Sequence, residues 1–84
     1  MGIFKPIKYD RHARRRMKWR KISSEEVEEA IIKPDKTEPT EKERINVFKF
    51  INNRLIKVTY KEFESELLVI TAVVKSEGRG TDEN

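Results

Sequence analysis

His12 is the sole histidine in the chain, and Arg16 and Arg20 follow it at steps of four residues. On a helix that spacing puts all three side chains on one side. An imidazole with two guanidiniums in a row suits the metal-free cleavage of RNA. There the ribose 2′-hydroxyl attacks the adjacent phosphate, so the enzyme must move protons and stabilise charge on the phosphorane. His12, Tyr60 or a Lys could move protons, and Arg16, Arg20, Arg44 or Lys57 could stabilise the charge. Arg14, Arg15, Arg20, Arg44 and Lys57 are candidate contacts to the RNA chain. The alternative for Arg16 and Arg20 is ion pairing with an acidic second helix. For His12 it is a hydrogen bond at the helix start or the core edge, and for Arg14, Arg15 and Lys18 a solvated surface. Trp19 is expected as a partly buried cover of the core rather than as a base-stacking platform.

Other chemistries lack their residues. Cysteine is absent, which excludes disulfides, thiolate metal sites and a thiol nucleophile. One His with scattered acids has no metal-ligand spacing, so no metal is expected. Glu77-Gly78-Arg79-Gly80 leads into no helix and makes no phosphate loop. No cofactor is expected.

The elements that must position these residues can be read from capping and periodicity. Pro6 marks a short strand within residues 4–9. Asp10 caps a helix over residues 11–20, whose apolar seam is only Ala13 and Met17. Ser23 and Glu26 form a capping box for a second, acidic helix that buries Val27, Ala30 and Ile31 and ends before Pro34. Residues 34–42, with two prolines and several acids, read as a loop. Two strands, residues 44–51 and 54–61, flank an Asn52-Asn53 turn. A two-residue turn pairs Val47 with Val58 and Ile45 with Tyr60 on the helix side. It puts Phe50 with Leu55, Phe48 with Lys57, and Arg44 with Lys61 on the other face, which is either a second candidate surface for a nucleic-acid strand or a place where Phe48 and Phe50 pack under Phe63 or the N-terminal segment. Phe63 is expected to fold back on the sheet. The apolar run from Leu67 to Val74 suits a central last strand covered on both faces.

The expected fold is therefore α+β, in the order β-α-α-β-β-β. Four strands make an antiparallel-type sheet with two helices on one face. The order across it is N-terminal strand, last strand, 54–61, 44–51. Residues 1–75 form one domain, and 76–84 a disordered polar tail.

The chain of 84 residues carries a net charge of +4, and that charge is segregated. Residues 1–22 hold nine Lys or Arg against one acid, and 44–61 hold five against none; the stretches 23–43 and 62–84 are acidic. If the basic blocks meet in space they make a focused positive patch. The start of the chain lacks a signal-peptide pattern and no run is long enough to span a bilayer, so a cytoplasmic location without membrane association is expected. Abundant Lys, Arg and Glu with no Gln lean toward a thermophilic source.

His12-Ala13-Arg14-Arg15-Arg16-Met17-Lys18-Trp19-Arg20-Lys21-Ile22-Ser23 resembles the opening of a widespread domain-of-unknown-function family, H-A-x-x-R-M-x-x-R-x-I-S. Lys33-Pro34-Asp35 and the strands at 55–60 and 68–73 continue the resemblance. That family is similar in architecture to the RelE and BrnT toxins of toxin–antitoxin pairs. The resemblance implies a metal-independent endoribonuclease acting on RNA, ribosome-associated mRNA included, and held inactive by a small antitoxin. It makes His12, Arg16 and Arg20 the signature positions. Two other readings stand beside it. One is a non-catalytic module binding nucleic acid or protein through the same patch. The other is a structural row tying the first helix to the sheet.

Overall fold

The computed structural model describes residues 5–77 of the chain. It is α+β: two helices lie on one face of a five-stranded mixed sheet. The elements are β1 (Ile7–Tyr9), α1 (Arg11–Arg20), α2 (Ser24–Ile32), β2 (Lys36–Pro39), a 3₁₀ turn (Glu41–Glu43), β3 (Arg44–Ile51), β4 (Arg54–Glu62) and β5 (Leu67–Glu77). The sheet order is β1-β5-β4-β3-β2.

Two features depart from the expected four-stranded antiparallel-type sheet. Residues 36–39, expected in a loop, form an edge strand paired antiparallel with β3. Its side chains are largely exposed and polar, so it has no apolar alternation to reveal it. Pro39 is tolerated because it ends an edge strand. Asp35 anchors the entry to this strand: its N–H donates to the Phe48 carbonyl, and its carboxylate accepts from the Phe50 N–H. The second departure is β1, which runs parallel to β5. Pairing direction is invisible in a three-residue strand. It is fixed by α1, which packs on β5 and begins where the Asp10 N–H reaches the Val69 carbonyl.

The β3–β4 register is as the hairpin turn implied, with Val47 opposite Val58 and Phe48 opposite Lys57. Asn52 and Asn53 both adopt positive φ, which a tight hairpin needs and Asn tolerates. The helix-facing positions Val47, Ile56, Val58, Tyr60, Leu67, Val69 and Ala72 join Ala13, Met17, Ile22, Val27, Ala30 and Ile31 in one core.

β5 has a strand on either side, but among the described residues no helix or strand packs on its far face. Its pairing with β4 skips Ile70 and again Lys75. The first bulge shifts the alternation so that Val69 and Ala72, three apart, both enter the core. The apolar run is continuous because it crosses this change of phase. The strand also takes in Ser76 and Glu77, two residues expected in the tail; the rest of the tail lies outside the described residues.

Candidate nucleic-acid interface

α1 holds together through its ends and a two-residue seam. The Asp10 carboxylate accepts the His12 N–H at 3.1 Å. At the other end Lys21 takes a left-handed conformation, φ 58°, and the Ile22 N–H reaches back to the Met17 carbonyl at 2.8 Å. This is a Schellman-type stop built on lysine where glycine is the usual residue. Only Ala13 and Met17 are buried. His12, Arg14, Arg15, Arg16, Lys18, Trp19 and Arg20 are all exposed.

The helix dipole is met by Asp10 at the N-cap and by Lys18 and Arg20 in the last turn, but the surface of the helix carries like charges that repel one another. Arg11 with Arg15, Arg14 with Lys18, and Arg16 with Arg20 are like charges four apart, each destabilising by about 0.2–0.5 kcal/mol. None of these cations forms an ion pair among the described residues. Arg16 and Arg20 do not reach the acidic α2, and the His12 imidazole makes no hydrogen bond among the described residues. Trp19, expected as a cover, is 74% exposed. It follows Met17 by two positions, which turns its ring off the seam. The Arg20 guanidinium lies 5.8 Å from the ring centroid.

The other candidates are elsewhere. Tyr60 is on the helix-facing side of β4, only 8% exposed. Burial, with Glu62 adding to it, pushes its phenol above the ordinary value. Among the described residues no hydrogen bond joins its side chain to His12. Arg44 and Lys57 project from the far face of the sheet, away from the helices. There Lys36 and Lys57 approach the Phe48 ring at 5.6 and 6.0 Å, and Phe50 is exposed. Phe63, expected to fold back on the sheet, is exposed under the Lys61 ammonium. Arg54 apart, the two basic blocks therefore do not merge: the sheet separates the α1 ridge from the cations of the far face.

A third basic residue, Arg54, has a different task. Its guanidinium donates to the Arg20 and Lys21 carbonyls at 2.8 and 3.0 Å, and pairs with Glu26 at 3.3 Å. Glu26 also accepts from the Ser23 N–H and the Asn52 side chain. Burial pushes the Glu26 carboxyl up, but the Ser23 hydrogen bond, Asn52 and Arg54 together hold it below the ordinary value. It is this cluster, not the His12 row, that ties α1 to the sheet. Its sequence signal was the register: Arg54 opposite Ile51 falls on the helix side, where a charge needs a partner.

Among the described residues no group of three His, Cys, Asp or Glu is gathered as a metal-ion holder, and no helix is long and apolar enough to cross a membrane. Among curated proteins and among solved structures, nothing matches the chain. A family match covers residues 9–74, from the strand before α1 nearly to the end of β5. The chain belongs to DUF4258, a family described as a domain of unknown function.

Proposed function

We propose that this protein is a cytoplasmic RNA-binding protein that engages the RNA backbone through the exposed side of α1. The observation that carries the reading is the row of unpaired cations on that helix, held in place against mutual repulsion. A polyanion would relieve the repulsion and release its own counterions. The test is binding of a labelled RNA across a salt series. Arg15→Ala and Arg16→Ala should each lower the salt slope by about one. Binding that is absent at low salt, or indifferent to both changes, overturns the reading.

A second reading adds turnover, as a RelE- or BrnT-like toxin. It is favoured by one observation: His12 is exposed, with Arg16 one turn away and neither tied to protein. His12 would take the proton of the attacking 2′-hydroxyl while Arg16 stabilises the phosphorane, and water would return a proton to the leaving 5′-oxygen. A small acidic antitoxin covering α1 would then compete with RNA. Expression should arrest growth, an adjacent small gene should relieve the arrest, and His12→Ala should abolish it. If purified protein leaves RNA intact with chelator, with and without ribosomes, cleavage is withdrawn and the binding module remains.

A further inference from the structure

Trp19 is the one large apolar side chain of α1 that the fold leaves in water, and arginines stand at neighbouring positions of the helix. It follows His12, Arg15 and Arg16 by seven, four and three positions, so it shares their side of the helix. Its indole makes no hydrogen bond among the described residues, and at 74% exposure its contribution to the core is small. The Arg20 guanidinium over the ring, 5.8 Å from its centroid, is a cation–π contact that steadies the indole while leaving most of it open. An exposed aromatic surface steadied by the Arg20 guanidinium, with Arg15 and Arg16 on the same side of the helix, suits a base with a free face whose flanking phosphates meet the arginines.

We infer that Trp19 is a stacking platform for an unpaired nucleobase, so that the α1 surface selects single-stranded RNA over duplex. The inference rests on the RNA-binding reading and sharpens it. In a duplex each base already has both faces stacked, and only the phosphates can engage the helix. In a single strand one base can lie on the indole while the phosphates on either side reach Arg15 and Arg16. Stacking is tolerant of sequence, because every base has a π-face.

The experiment uses the full chain, and Trp19 is its sole tryptophan, so its emission reports directly on the platform. Single-stranded RNA should quench Trp19 emission, whereas polyphosphate, which has charge without bases, should bind and leave the emission nearly unchanged. Trp19→Leu should weaken single-strand binding about 5- to 150-fold. Trp19→Phe should keep most of the affinity, and duplex binding should not respond to either change. Both variants should retain the native melting curve, since the side chain is exposed. If single-stranded RNA binds with the native salt dependence but Trp19→Leu binds equally well, the stacking platform is overturned and RNA binding through the cations stands. Equal quenching by polyphosphate also overturns it. If the native chain binds neither RNA form, both readings fall together.

Discussion

His12 separates a chemical from a structural reading of the α1 row. Its backbone N–H belongs to the Asp10 cap, but its imidazole is exposed and unpartnered among the described residues. His12→Ala should therefore change unfolding free energy by less than about 0.5 kcal/mol, the range for surface substitutions away from special contacts. Urea denaturation checks this, and a loss well above 1 kcal/mol would mean the imidazole ties α1 to the domain. The result bears on function, because a loss of RNA cleavage or growth arrest in a variant of native stability has to come from the chemistry. Tyr60 is the opposite case. It is packed among core residues with its phenol held neutral, so its removal would mix packing with any proton transfer.

At the scale of elements, the domain is joined at the corner where α1 ends, α2 begins and the β3–β4 hairpin turns. Glu26 and Arg54 occupy that corner with side chains only 11% and 19% exposed. Arg54→Ala strands the Glu26 charge and frees two carbonyls at the end of α1, so it should cost about 3 kcal/mol. Because the folded Glu26 carboxyl lies below its ordinary value, its contribution is present above pH 4.5, the value for an unperturbed Glu, and is lost as the pH falls through the lowered value. Glu26→Gln should flatten the stability profile below pH 4.5, measured by urea unfolding at a series of pH values. A profile as steep as the native one would place the acid sensitivity elsewhere. Lys21→Gly makes the reverse prediction. It relieves a left-handed lysine and should stabilise by about 1 kcal/mol. Both helices, their caps and the hairpin register were legible because caps, turn residues and alternation are local signals. β2 was not, since an exposed polar edge strand carries no such pattern. The phase change at Ile70 was hidden inside an unbroken apolar run. The α1 row could be read from spacing, but the exposure of Trp19 and the use of Arg54 depend on neighbours distant in sequence.

Across the whole molecule, the arrangement of charge matters more than the net charge of +4. Side-chain alternation sends Arg44, Lys57 and Lys61 to the face of the sheet that the helices do not cover. The α1 cations lie beyond the helix layer on the other side. Layers of secondary structure stack about 10 Å apart, and the Debye length at physiological salt is about 8 Å. The two sets are therefore screened from each other, and a strand lying on one is not held by the other. Replacing Arg14, Arg15 and Arg16 together by Ala should reduce the salt slope of RNA binding by about two. Replacing Arg44, Lys57 and Lys61 removes the same formal charge and should change the slope by less than one. A uniform field acting on the net charge would make the two triple variants equal, as would RNA wrapping around the β1 edge to reach both faces. Binding isotherms for the two variants over the same salt range therefore separate a directed surface from a merely basic protein. The same isotherms limit how far the far face, with Phe48 and Phe50, takes part in holding the strand.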